Sequence, residues 1–144
     1  MRKWSGLAAM CFLASSALAA SAPPPDLMQA RAGLSAALKA NDPERIATYI
    51  YFPLADVGGF GSSTISRAQF LNAWKKKDYD VFTGVYDKPG NGSQTPGCFF
   101  NDPLTPDSRA PAGTSWSFGC NDDIYHFRKK NGRWLLTEVE NIGE

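Results

Sequence analysis

Two runs of alternating residues flank the pair Asn131-Gly132: "DIYHFRKK" precedes it and "RWLLTEVE" follows it. An Asn-Gly pair between such runs is typical of a β-hairpin with a two-residue type I′ turn. Side chains alternate between the two faces of a strand, so the hairpin has one face rich in large apolar groups. That face contains Tyr125, Phe127, Trp134 and Leu136. The C-terminal part of the chain is therefore predicted to be antiparallel sheet.

An unbroken register from this turn determines which residues lie opposite each other. It places His126 opposite Thr137, and it places Tyr125 opposite Glu138. Glu138 is thereby predicted to share the apolar face with Tyr125, whereas His126, the only histidine of the chain, faces the other way. We interpret His126 as a surface or sheet-edge residue, and as a candidate base only if the register differs.

Glu138 has two interpretations. Beside Tyr125 it would be a desolvated pocket carboxylate, and a carboxylate with a tyrosine is sufficient for proton abstraction next to a carbonyl group. If the sheet opens before Glu138, the residue is an exposed charge at a strand end. Glu138, Tyr125 and Asp56 are the catalytic candidates, and none is assigned. With one histidine and no metal-loop spacing of acidic residues, the sequence predicts neither a metal site nor a cofactor.

Helical patterns precede the strands. Asp26 is the predicted N-cap of the first helix, whose apolar stripe is Leu27, Ala30, Leu34, Ala37 and Leu38. A second helix begins at Asp42 and is predicted to continue to Pro53, with Tyr49 facing inward. The third helix begins at Ser66, which forms a capping box with Gln69. Its buried face is Phe70, Leu71 and Trp74.

The remaining segments are strands and connections. "YDVFTGVY" and "CFF" are predicted strands, and "TSWSFGC" places Trp116, Phe118 and Cys120 on one face. "ADVGGFGSST" is interpreted as a flexible connection or a small hairpin, and "NDPLTPDSRAPAG" as an exposed loop. Three helices followed by four or five antiparallel strands predict an α+β fold, with the helices on one face of the sheet.

The N-terminus has the three parts of a secretory signal. Arg2 and Lys3 provide the positive charge, residues 7–19 are apolar, and the small residues Ala17 and Ala19 flank Leu18 before a cleavage site. We predict a signal peptide over residues 1–19, with cleavage after Ala22 as the alternative. The protein is thus expected to be periplasmic or secreted, without membrane insertion.

The predicted mature chain is close to neutral and has two cysteines. Removal of Arg2 and Lys3 leaves 13 basic and 14 acidic residues, a balance that argues against nucleic acid as a partner. An even number of cysteines in an exported chain is typical of a disulfide, here between Cys98 and Cys120. In the loop-closure treatment such a bridge stabilises by about 3 kcal/mol.

Three segments resemble the nuclear transport factor 2-like superfamily, and in particular its exported bacterial members. They are "ALKANDPERIATYIYFPL", "ISRAQFLNAW" and the terminal "YHFRKKNGRWLLTEV". The resemblance covers residues 26–142 as a single domain. It implies three helices enclosed by a curved sheet, forming a cone with an apolar pocket, lined on our assignment by Tyr49, Phe70, Trp74, Phe127, Trp134 and Leu136.

A superfamily of this kind includes enzymes and proteins without chemistry, so function has to be argued from the site. The first hypothesis is a non-enzymatic domain that binds an apolar small molecule or a protein partner. The alternative is a small isomerase or lyase that uses Glu138 or Asp56 with a tyrosine. A homodimer formed through the outer sheet face is a further possibility, and it predicts exposed aromatic residues there.

Overall fold

One six-stranded sheet organises the computed structural model, which describes residues 21–58, 61–77, 82, 103–120 and 122–142. The elements are α1 (Pro25–Lys39), α2 (Pro43–Ala47), β1 (Ile50–Gly58), β2 (Gly61–Ile65), α3 (Arg67–Lys75), β3 (Thr105–Pro106), β4 (Ser115–Cys120), β5 (Asp123–Lys130) and β6 (Arg133–Asn141). The strand order is β2-β1-β6-β5-β4-β3. The predicted α+β class with a curved sheet is confirmed, with six strands instead of four or five and with β1 parallel to β6.

The helix starts follow local capping chemistry. Ser66 and Gln69 form the predicted capping box at α3, in which the backbone N–H of Gln69 donates to Ser66 Oγ at 3.2 Å. Asp42 caps α2 by accepting from the backbone N–H of Arg45 at 3.0 Å. At α1 the prediction was wrong, since Pro24 is the N-cap and Asp26 lies in the first turn.

The second helix is shorter than predicted. α2 ends at Ala47, and the run from Ile50 onward is strand β1, whose aromatic and β-branched residues suit a pleated surface. The backbone N–H of Leu136 donates to the carbonyl of Tyr49 at 2.9 Å and ties the start of this strand to β6. Pro53 lies where the pairing of β1 with β6 shifts register, so the ladder tolerates its missing N–H.

The connection between α2 and α3 is a hairpin. β1 and β2 pair antiparallel from Leu54 opposite Ile65 to Gly58 opposite Gly61. Of the two interpretations of this glycine-rich segment, the small hairpin is the one that the structure has.

The proline-rich segment before β4 is more ordered than an exposed loop. Thr105 and Pro106 form β3 at the edge of the sheet, where a proline is tolerated. Leu104 and Asp107, on either side of it, are buried. The predicted strands over residues 79–86 and 98–100 lie outside the described residues, apart from Phe82, which is buried.

The core fills the space between the helices and one face of the sheet. Trp116, Phe118 and Cys120 are buried together on β4, as predicted. Tyr125 on β5 stacks on Phe118 at 5.2 Å and on Phe82 at 5.9 Å between ring centroids. Within the part of the chain that the structure describes, no helix is both long and apolar enough to span a bilayer.

Candidate functional site

One extra residue in β6 decides which side chains share a face of the terminal hairpin. From the turn the pairing is regular as far as Phe127, which lies opposite Leu136. The register then shifts, so that His126 lies opposite Glu138. Thr137 is the extra residue of this β-bulge, and its hydroxyl donates to the carbonyl of His126 at 3.3 Å.

The bulge corrects the predicted register. Tyr125 pairs with Val139 and not with Glu138. Val139 is buried with Tyr125 on the helix-facing side, whereas Glu138 lies on the outward face with His126. The predicted pair of Glu138 and Tyr125 is therefore absent, because the sheet separates the two side chains.

Five side chains meet on the outward face, and we call them the His126 cluster: Asp107, Arg109, His126, Glu138 and Glu140. His126 faces away from the helices, as predicted, but it is not a surface or sheet-edge residue. It lies on β5, an inner strand of the sheet, and it is only 2% exposed. Polar neighbours, rather than a second layer of structure, cover it.

The imidazole of His126 lies between carboxylates. Its Nδ1 is 3.2 Å from Asp107 Oδ2, and its Nε2 is 3.1 Å from Glu140 Oε2. Glu138 Oε1 lies 3.9 Å from the same Nε2. The donor atoms of His126, Glu138 and Glu140 all lie within 4.8 Å of one another. Among the residues that the structure describes, these three could therefore hold a metal ion.

Arg109 is the cation within the cluster, and Arg128 pairs with Glu138 from the next outward position of β5 at 3.6 Å. Arg109 Nη2 lies 2.9 Å from Nε2 and 3.2 Å from Nδ1 of His126. Its Nη1 lies 3.1 Å from Glu140 Oε2, and its Nη2 lies 3.8 Å from Glu138 Oε1. Its backbone N–H and its Nε donate to Asp107 Oδ1 at 2.9 and 3.3 Å. One guanidinium thus contacts every other member of the cluster.

These contacts shift two pKa values. Burial raises the pKa of Asp107, but the backbone N–H, side-chain hydrogen bond and charge of Arg109 outweigh burial and lower it from 3.8 to about 2. The hydrogen bond to Asp107, opposed by desolvation and reinforced by Glu140, raises the pKa of Arg109. Asp107 is therefore an anion and Arg109 a cation at neutral pH.

A different carboxylate accompanies Tyr125 on the helix-facing side. The Tyr125 hydroxyl hydrogen-bonds the Asp123 carboxylate, and Asn141 Nδ2 donates to Asp123 Oδ1 at 2.8 Å. Burial, followed by the negative charge of Asp123, raises the pKa of Tyr125 well above its ordinary value. Tyr125 is 0% and Asp123 5% exposed, so neither group is accessible to a substrate in this conformation.

Asp56, the other catalytic candidate, is half-buried on β1. It pairs with Val139 and so shares the helix-facing side of the sheet. It lies across the sheet from Glu138, and the two carboxylates cannot act on one substrate.

A cleft of about 320 Å³ opens between α1 and the β5–β6 turn. Its lining is Asp26, Gln29, Ala30, Tyr49, Gly132, Arg133 and Trp134. Trp134 is largely buried, and its indole N–H approaches the Asp26 carboxylate without completing a hydrogen bond. The ion pair with Lys129, whose Nζ lies 2.9 Å from Asp26 Oδ2, is the main reason that the pKa of Asp26 is lowered.

The six residues assigned to a pocket divide into two groups. Tyr49 and Trp134 line the cleft, and the Tyr49 hydroxyl lies so close to Gly33 on α1 that a side chain there would collide with it. The other four, Phe70, Trp74, Phe127 and Leu136, are buried in the core. Cys120 is buried as well, and its predicted partner Cys98 lies outside the described residues.

Sequence reasoning missed Asp107, Arg109, Asp123 and Glu140 as site residues. Asp123 could have been found, because it precedes Tyr125 by two residues and strand alternation puts both on one face. Asp107 and Arg109 carry no such signal, since they reach His126 from a segment read as an exposed loop.

No protein-family model matches this chain, and no curated protein matches it. Solved structures similar to it include a nuclear transport factor 2-like protein of unknown function from Shewanella oneidensis, with 13% identity over 80% of this chain and 94% of that one, at a TM-score of 0.45. A cystatin-like protein of unknown function from Nostoc punctiforme has 12% identity over 84% and 93%, at 0.43.

A nuclear transport factor 2-like protein with a cystatin-like fold from Novosphingobium aromaticivorans has 13% identity over 81% of this chain and 78% of that one, at a TM-score of 0.43. All three TM-scores lie below 0.5, so no superfamily is assigned to this chain from these likenesses. At such identities they concern the fold alone, and no residue role is transferred from them.

Proposed function

We propose that this chain is an exported, non-catalytic binding domain that holds a small molecule in the cleft between α1 and the β5–β6 turn. The observation that supports this most is the indole N–H of Trp134, a buried donor at a cleft wall that has no completed hydrogen bond. The Asp26 carboxylate approaches this N–H without completing a hydrogen bond, and a ligand with an acceptor at that point would complete one.

The chemistry of the lining suggests the class of ligand. Tyr49, Ala30 and Trp134 provide apolar surface, and Asp26 and Arg133 place one charge of each sign at the cleft. A small molecule with a flat apolar body and one hydrogen-bond acceptor fits this arrangement better than the wholly apolar ligand expected from the sequence.

Geometry argues against the alternative, an isomerase or lyase. Such catalysis requires a carboxylate and a tyrosine within hydrogen-bond reach in an accessible cavity. Asp123 and Tyr125 meet the distance requirement but are buried against each other and packed with aromatic rings. Glu138 faces the opposite side of the sheet.

Fragment binding monitored through tryptophan indole resonances tests the proposal. Fragments with an aromatic body and an acceptor should shift the Trp134 indole N–H resonance in ¹H–¹⁵N spectra. Ala30→Phe, which fills the cleft, should abolish that shift. Met28→Ala, at an exposed position of α1 outside the lining, is the matched control and should retain it.

Two outcomes would remove the cleft as the site. One is the same fragment affinity in Ala30→Phe as in the unaltered protein. The other is that every binding fragment shifts resonances remote from Trp134 and leaves its indole N–H unchanged.

Export is a separate part of the proposal, and its support is the charged start, apolar stretch and small residues of the N-terminus. The full chain should be expressed in a bacterium and the cell fractions analysed by mass spectrometry. We expect a periplasmic or secreted protein whose intact mass corresponds to a chain that begins at Ala20, or at Pro23 for the alternative cleavage. A cytoplasmic protein that retains residues 1–19 would contradict export.

A further inference from the structure

We propose that the His126 cluster is a binding site for a divalent transition-metal ion, with Zn²⁺ as the representative ion. His126, Glu138 and Glu140 are the ligands in this assignment, and Asp107 orients the imidazole. The site lies on the outward face of the sheet and is independent of the cleft.

The β-bulge creates the ligand set. In a regular register Glu138 would face the helices, and the outward face would hold His126 without two glutamates. With Thr137 as the extra residue, Glu138 and Glu140 follow each other on the outward side of β6, and Glu138 is the cross-strand neighbour of His126. Bulges commonly redirect a side chain toward a functional site.

The distances suit a small ion. Protein ligands lie about 2.0–2.2 Å from Zn²⁺ in a tetrahedral arrangement, which separates neighbouring ligand atoms by roughly 3.3–3.6 Å. In the cluster Nε2 of His126 lies 3.1 Å from Glu140 Oε2 and 3.9 Å from Glu138 Oε1. Small rotations of the two half-buried glutamates would bring all three atoms to ligand distance.

The two ring nitrogens of His126 face different partners. Nδ1 lies 3.2 Å from Asp107 Oδ2, whereas Nε2 lies 3.1 Å from Glu140 Oε2 and 2.9 Å from Arg109 Nη2. In the tautomer with the proton on Nδ1, that nitrogen donates to Asp107 and the lone pair of Nε2 points toward the glutamates. A histidine whose second nitrogen donates to a carboxylate is the usual arrangement of a metal ligand.

Arg109 identifies the position that attracts a cation. Its guanidinium contacts Nε2 of His126, Glu140 and Glu138, which are the three groups assigned as ligands. Its side chain is 52% exposed, so it can move into solvent when an ion enters. One nitrogen and two carboxylates suit Zn²⁺ and similar ions, whereas Ca²⁺ and Mg²⁺ prefer more oxygen ligands.

The test uses tag-free full-length protein stripped of metal with a chelator and titrated with Zn²⁺ in a calorimeter. We expect one ion per chain, with no competition from Ca²⁺. Because His126 is the only histidine, its ring nitrogens can be followed without overlap, and the Nε2 resonance should respond to Zn²⁺.

Three variants give a pattern that a purely structural ion-pair cluster would not produce. Arg109→Ala removes the cation that contacts all three assigned ligands, while Arg128 stays paired with Glu138 at 3.6 Å. It should tighten Zn²⁺ binding about 10-fold or more, within the usual range of coupling between sites. Asp107→Asn should weaken it about 10–100-fold. The double variant Glu138→Gln, Glu140→Gln should lose it.

Glu44→Gln is the matched control, because Glu44 is an exposed glutamate on α2 that pairs with Arg67. Its Zn²⁺ affinity should be unchanged. The proposal is overturned if neither the unaltered protein nor Arg109→Ala binds Zn²⁺, or if binding persists undiminished in the double glutamine variant. Because Glu138 and Glu140 are partly exposed, the double glutamine variant can be measured even if a variant of the buried His126 does not fold.

Discussion

The two faces of the β5–β6 hairpin differ in how they bury their side chains. On the helix-facing side Tyr125, Phe127 and Leu136 are almost fully buried by aromatic and aliphatic neighbours. On the outward side His126 is just as inaccessible, but charged side chains that pair with one another cover it. One face is buried by the hydrophobic effect and the other by an ion-pair network, and the bulge at Thr137 places both Glu138 and Glu140 on the outward face.

This difference separates stability from chemistry within the same two strands. Apolar burial is not directional and stabilises roughly in proportion to area. The outward cluster gains little from apolar burial, and the cost of desolvating its charges offsets the attraction within its ion pairs. Its contribution is instead to fix the geometry of several ligand atoms. We therefore expect substitutions on the helix-facing side to lower stability most and substitutions on the outward side to change binding most.

The largest loss of stability should come from truncating a buried side chain on the helix-facing side. Phe127→Ala should lower the free energy of unfolding by about 3–5 kcal/mol, because it leaves a cavity in a packed aromatic cluster. Leu135→Ala, at a half-buried position on the outward face, is the control and should cost about 1 kcal/mol. Urea denaturation measures both, and equal losses would remove the contrast between the faces.

The predicted disulfide should rank second. Replacing Cys98 and Cys120 by serine should lower the free energy of unfolding by about 3 kcal/mol, through the greater entropy of the unfolded chain. Intact mass before and after reduction and alkylation establishes whether the bridge forms. Two alkylatable thiols at these positions in the unreduced protein would contradict it.

Asp107 should give the outward face a dependence on pH. Its folded pKa of about 2 lies below its ordinary 3.8, so its contribution is present above pH 3.8 and is lost as the pH falls toward 2. At neutral pH that contribution is at most about 2 kcal/mol. Asp107→Asn should remove it, so the two proteins should differ in urea midpoint at pH 6 and converge near pH 2. A constant difference across that range would contradict the assignment.

The smallest effects come from one arginine on each side. Arg31, on α1, is buried with its guanidinium 4.3 Å from the centroid of the Phe118 ring, and Arg31→Met should cost about 1–2 kcal/mol. Arg128, partly exposed, pairs with Glu138 at 3.6 Å, and Arg128→Met should cost less than about 1 kcal/mol. Thermal denaturation of both variants compares them, and the reverse order would show that the outward network is the more stabilising.

Local signals in the sequence predicted the parts of the fold that depend on neighbours in the chain. The Asn131-Gly132 hairpin and the capping box at Ser66 follow from short motifs, and both are present. The extent of α2 was wrong because the residues after Ala47 fit helical spacing, whereas pairing with β6 made them a strand. Tertiary pairing overrode the local pattern there.

The site was less predictable, for two physical reasons. A bulge moves every later side chain to the other face, and the sequence hints at it only through the spacing of Leu136 and Val139, which breaks the period of two. Asp107 and Arg109 contact His126 across 19 and 17 residues of chain. Contacts of that separation depend on the edge strand β3, which the proline-rich segment did not suggest.

Side-chain NOEs across the hairpin test the central claim most directly, which is that the bulge places Glu138 on the outward face. In isotope-labelled protein, we predict NOEs from the Tyr125 ring to the Val139 methyl groups and from the His126 ring to the Glu138 side chain. NOEs from the Tyr125 ring to the Glu138 methylene protons would contradict the account. They would place that carboxylate beside a tyrosine on the helix-facing side and restore the catalytic alternative.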